Sequence, residues 1–178
     1  MTKILREWAG LVVFFLVLAV LENALFYRIQ LVGVRLDLSL IITVIYGFSY
    51  GAMAGTKAGL ASGLVRDLLR ARYVGLFILS RMLVGAFSGM LHRGLHGSTP
   101  LIPSLATLVG SLTTDLIAFI VLSRPLALGQ LVMLLHEVMI PAALGNAVLA
   151  YVGYWAYMAV SRRWHLVLHD GWSASQTR

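Results

Sequence analysis

The sequence predicts an all-α membrane protein, a bundle of six transmembrane helices forming one integral domain over residues 1–178. Three observations predict this. Hydrophobic residues make up 60% of the chain and charged residues only 12%, against roughly 25% charged in average soluble domains. The mean hydropathy is +0.88. Uncharged runs alternate with short basic connections, and at about 20 apolar residues per crossing the length holds six spans without a sizeable soluble domain.

The first helix is expected at about 8–27. Lys3 and Arg6 precede an uncharged run from Trp8 to Leu21, as in a signal peptide, but no small-x-small cleavage site follows and apolar character resumes through Tyr27. Hydropathy alone would draw the next span from Leu38 to Thr56 and strand Ala58–Val65 as a piece too short to cross. Two tightly joined helices, 38–50 and 52–69, are the better reading, because Gly47, Gly51 and Gly55 permit a sharp reversal and Lys57 can snorkel to an interface. The fourth helix is expected at 75–91, before the breaker-rich segment HRGLHGSTP, and the fifth at 101–122, before Ser123, Arg124 and Pro125. Residues 126–137 are expected to lie at the interface. The sixth helix, 138–161, carries Pro141 in its first turn, and 162–178 reads as a polar tail, mobile from His169 onward.

Gly47, Gly51, Gly55, Gly59 and Gly63 recur every four residues. Within one helix that period stacks them near one face, where another backbone can approach closely. Gly55, Gly59, Gly63 and, one turn on, Asp67 are therefore the expected partner-binding helix face.

Charge is expensive in hydrocarbon, at least about 2.5 to 3.5 kcal/mol near the centre on insertion scales. Six alternating spans put Glu22, Asn23, Arg66, Asp67, Arg81, Asp115, His136 and Glu137 toward one side. Arg81 and Asp115 both fall about 9 to 11 Å deep from that side at about 1.5 Å rise per residue, so they are expected to form an intramembrane pair. The cluster reads either as an internal ion pair that holds the bundle or as a ligand or proton site, and the absence of a third convergent carboxylate favours the first.

With no cysteine in the sequence, thiolate catalysis and disulfides are excluded. The net charge of +7 comes from lysines and arginines scattered between apolar runs, as loops facing anionic headgroups require, and not from a nucleic-acid patch. His92 and His96, like His165 and His169, have the i, i+4 spacing of metal ligands but sit at helix ends, where solvated histidines are common; no metal and no cofactor is expected. Neither HExxH nor GxSxG nor a phosphate-cradling glycine loop is present. Trp8, Trp164, Trp172, Tyr27, Tyr73 and Tyr157 fall mostly near helix ends, as in aromatic belts. Lysine and arginine bias leaves the orientation open.

The order of these features resembles the family of the rod shape-determining membrane protein MreD. The matching positions are Asp37 in RLDLSLI, Gly59 and Gly63 ahead of Asp67 in RDLL, Gly75 in YVGLFIL, Asp115 in TTDLIAF, and Pro141 and Asn146 in IPAALGNAVLAYV. The resemblance covers about Leu36 to Arg163. Leu36 stands where that family usually has a proline, and Arg70, Ala71 and Arg72 stand where it has a Ser-Gly-rich turn. The resemblance implies a non-enzymatic scaffold in the bacterial inner membrane with a cytoplasmic N-terminus. It would bind MreC and help couple MreB to the peptidoglycan polymerase RodA and its penicillin-binding protein partner. The implied architecture is similar to that of the substrate-binding subunits of energy-coupling-factor vitamin transporters, which keeps a small-molecule uptake subunit as the alternative function.

Overall fold

A computed structural model describes residues 2–29, 36–70, 75–94, 99–122 and 128–175. The described residues are almost entirely helical, without a strand: α1 (Thr2–Ile29), α2 (Leu38–Tyr50), α3 (Ala52–Arg70), α4 (Leu76–Gly94), α5 (Leu101–Leu122), α6 (Leu128–Leu134), a π-helical turn (Leu135–Met139) and α7 (Ile140–Ser175). Three stretches, Arg6–Ala24, Leu101–Leu122 and Gly129–Ser161, are long and apolar enough to cross a membrane, while Leu38–Tyr50 and Leu76–Leu91 are shorter apolar helices.

Among the described residues the exterior is oily while charged and polar groups are buried beside an apolar core, unlike a water-soluble bundle. Leu79, Leu83, Phe87 and Met90 form an exposed stripe along α4, each more than half open, whereas Arg81 on the same helix is 0% exposed. Leu105 and Val109 of α5, Val148 and Val152 of α7, and Val13, Val17 and Val20 of α1 are likewise exposed. Surfaces of this kind are stable only against lipid or other apolar helices.

α2 lies at the centre and touches α1, α3, α4, α5 and α7. Its reversal into α3 takes a single residue. Gly51 closes α2 through its N–H to the Gly47 carbonyl, 2.8 Å, and adopts φ +91°, a left-handed backbone that other residues rarely take. The hairpin that follows is stitched by Thr43 Oγ1 and Ser62 Oγ, 3.1 Å apart. α4 then packs antiparallel on α3 in the most extensive contact of the fold.

Glycine explains that closeness. A Cβ placed at Gly55 would run into the Gly85 carbonyl, one at Gly59 into the Arg81 carbonyl, and one at Gly63 into the Phe77 and Ile78 backbone. The face expected to receive a partner protein is therefore occupied by α4 of the same chain. Lipid tails are as apolar as leucine, so helices associate chiefly by close packing, and the nearest segment able to complete the small-residue face does so.

The C-terminal rod also departs from expectation. Residues 128–137, expected at the interface, are helical and run into α7 through the π-turn, and α7 continues as helix to Ser175 where a mobile tail was expected. Pro141 accounts for the irregular turn. It has no N–H and its ring crowds the carbonyl four residues back, Glu137; the chain widens there, with the Ile140 N–H reaching Leu135 five residues back. One continuous rod thus replaces an interfacial segment plus a separate helix.

Candidate functional site

The buried polar groups gather at the end of the bundle where α2 begins. Asp37 precedes an uncharged run and caps α2: its Oδ1 accepts from the Leu40 N–H and from Ser39 Oγ, both at 2.9 Å. Its Oδ2 accepts from Arg81 Nη2 at 2.5 Å and from Arg66 Nη1. Both carboxylate oxygens are thus filled twice over, the full capacity of the group. Arg81 Nη1 also donates to Ser39 Oγ at 2.6 Å. One carboxylate ties together the start of α2, the last turns of α3 and the middle of α4.

Asn146 of α7 extends the hub. Its Oδ1 accepts the Asp37 N–H at 2.8 Å, and its Nδ2 donates to Ser111 Oγ of α5 at 3.0 Å. Asn146 and Ser111 are buried, so these bonds form away from solvent, where an unmade one would cost the full desolvation of the group.

Asp67 serves a second, separate junction. It is fully buried, and its carboxylate accepts from the backbone N–H groups of Gly75 (2.8 Å), Phe77 (3.1 Å) and Ile78 (3.1 Å). Those are orphan donors at the N-terminus of α4, where a negative charge also complements the helix dipole. Gly75 sits at φ +109°, the conformation that aims its N–H back at Asp67. Asp67, expected to meet a partner protein, instead holds the α3–α4 connection.

The expected Arg81–Asp115 pair is not made. Arg81 bonds to Asp37 and Ser39; Asp115 lies across a cavity of about 240 Å³ whose wall also includes Asp37, Arg66, Arg70, Ser111 and Asn146. Equal depth from one side placed Arg81 and Asp115 in the same layer, but depth says nothing about which neighbour a helix turns toward. Asp37, at the mouth of the central helix, takes both Arg66 and Arg81. A second polar cavity of about 180 Å³ opens on the other side of Arg66, lined by Glu22, Asn23, Ser39, Ser62 and Arg70. Arg66 and Arg70 both reach over the Phe77 ring, at 5.4 and 4.7 Å from its centroid, stacking cation on aromatic face.

Sequence reasoning named Asp37 and Asn146 only as positions of a resemblance, and Ser39 and Ser111 not at all. Asp37 carried a legible signal, an aspartate directly before an apolar run. The side chains of His92, His96, His165 and His169 lie outside the described residues. Among the described residues no group of three metal-ligating side chains converges. No family model matches the chain, and neither does any curated protein or solved structure.

Proposed function

We propose that the protein is a non-enzymatic scaffold of the bacterial inner membrane, a six-span bundle of the kind that the resemblance to MreD implies. In that role it binds the single-span MreC and helps couple MreB to RodA and its penicillin-binding partner, with its N-terminus in the cytoplasm. The observation that carries the reading is the use made of the resembling positions. Asp37 and Asn146, 109 residues apart, bond to each other; Asp67 bonds Gly75; and Gly59 and Gly63 seat α4. Positions singled out along the sequence for their order are thus joined by contacts that assemble a framework. The carboxylates of Asp37 and Asp67 and the amide of Asn146 are engaged in holding helices, which suits a scaffold better than a catalyst.

The cavity between Asp37, Arg66, Arg70 and Asp115 keeps a second reading in play, a substrate-binding subunit of an energy-coupling-factor type vitamin transporter. One experiment separates the two. The tagged full-length protein is purified in mild detergent and the eluate examined for proteins and small molecules. Recovery of a single-span coiled-coil protein with cell-wall synthases is expected. An ATPase pair, or a stoichiometric small compound, would overturn the scaffold reading in favour of transport.

A further inference from the structure

A site of different character runs along α2 from beside the polar hub to the opposite end of the bundle. Five helices surround α2, but its flank between α1 and α7 is open, and a groove of about 550 Å³ runs there over Leu38, Ile41, Ile42 and Ile45 toward Tyr50, walled by Leu149 and Val152 of α7. Ser49 is the groove's other polar feature besides its tyrosines, and its Oγ has no hydrogen-bond partner in the protein. At the Tyr50 end a second cavity, of about 460 Å³, lies beside the groove, with Tyr46 and Tyr50 lining both. That cavity is bounded by Trp8 and Glu7 of α1 and by Lys57 of α3. Tyr157 Oη lies 3.4 Å from Tyr50 Oη at the junction.

We propose that these two neighbouring cavities bind one anionic phospholipid, with its phosphate at the Lys57–tyrosine collar and an acyl chain along the isoleucine face of α2. Three features of the site fit that occupant. The collar stands at headgroup level, because the apolar span of α1 starts at Arg6 and tryptophan and tyrosine are the residues of the membrane–water interface. Lys57 is exposed and makes no ion pair among the described residues with Glu7, the other charged side chain of that cavity; a lysine so placed favours anionic lipid. The groove floor, Leu38 to Tyr50, is about 18 Å long at 1.5 Å per residue, comparable to one leaflet of a hydrocarbon core about 30 Å thick.

The test is native mass spectrometry of the full-length, delipidated protein released from detergent after addition of palmitoyl-oleoyl phosphatidylglycerol or phosphatidylcholine. The intact protein is expected to retain one phosphatidylglycerol in preference to phosphatidylcholine by about fivefold, the weight of one lysine at an anionic surface. Lys57→Gln, at an exposed position, should abolish the preference while leaving residual binding of both lipids. Val152→Phe, which narrows the groove from its exposed wall, should reduce retention of both. Equal retention of the two lipids by the intact protein, or a preference unchanged in Lys57→Gln, would overturn the proposal. So would photo-crosslinking from position 42 in membranes that captures a protein helix in place of lipid.

Discussion

α3 has two neighbours that it holds in opposite ways. Toward α4 it presents Gly55, Gly59 and Gly63, so that backbone lies on backbone, and the contact ends in the ionic hub of Asp37, Arg66 and Arg81 and the Asp67 cap. Toward α1 it presents Ala58, Ala61 and Val65, which receive Phe15 with Leu11 and Leu18 around it. The first contact is fixed by shape and by polar bonds that lipid cannot replace. The second consists of apolar side chains that lipid tails can replace almost one for one. A hydrophobic cluster that would dominate the stability of a soluble protein is therefore the weaker seam here, and the buried polar groups are the stronger.

Substitutions should rank accordingly. Asp37→Ala leaves two arginines facing a vacated site, one of them fully buried; removing one partner of a buried ion pair costs about 3 to 5 kcal/mol, and thermal unfolding in mild detergent should show the largest loss of this series. Gly59→Leu forces a side chain into the Arg81 carbonyl. Overpacking costs about 1 to 3 kcal/mol and sometimes more, and cysteine crosslinking between α3 and α4 should fall in the same variant. Asp67→Ala strands the Gly75 N–H and two N–H groups of α4, with an expected cost near the upper end of the roughly 0.5 to 2 kcal/mol seen for lost helix caps, and faster amide exchange confined to Gly75 and the first turn of α4. Phe15→Ala, worth about 3 to 5 kcal/mol in a water-soluble core, should cost the least of the four. If Phe15→Ala instead matched Asp37→Ala, the two seams would be equivalent and the distinction between them would fail.

How much of this was readable from the sequence follows from what each residue type encodes. The α2–α3 joint is visible because Gly51 lies in a run that hydropathy alone would leave whole, and because Lys57 argues against a single span. The small-residue face is visible in its period, but a period identifies only a surface suited to close approach. It does not say that α4, rather than another protein, fills it. The polar layer was visible as a layer. The choice of Asp37 over Asp115 as the acceptor for Arg81 was not, since it depends on the rotation of α4 about its own axis, which a chain with charges on several helices does not encode in hydropathy. The π-turn before Pro141 had a signal in the proline itself, and the helix after Pro141 was expected over 138–161; the helix before it was not, because Gly129, Gln130, His136 and Glu137 interrupt the apolar run and the proline reads as a helix start.

The central claim is that the Asp37 carboxylate holds Arg81 and, with it, the α2–α3–α4 core. A pair of double-mutant cycles in thermal unfolding tests it directly: Arg81→Gln combined with Asp37→Asn, and Arg81→Gln combined with Asp115→Asn. Residues in one bonded network couple by about 0.5 to 3 kcal/mol, whereas separate ones add. Coupling in the Asp37 cycle and additivity in the Asp115 cycle is the predicted result; coupling to Asp115 with none to Asp37 would contradict the account.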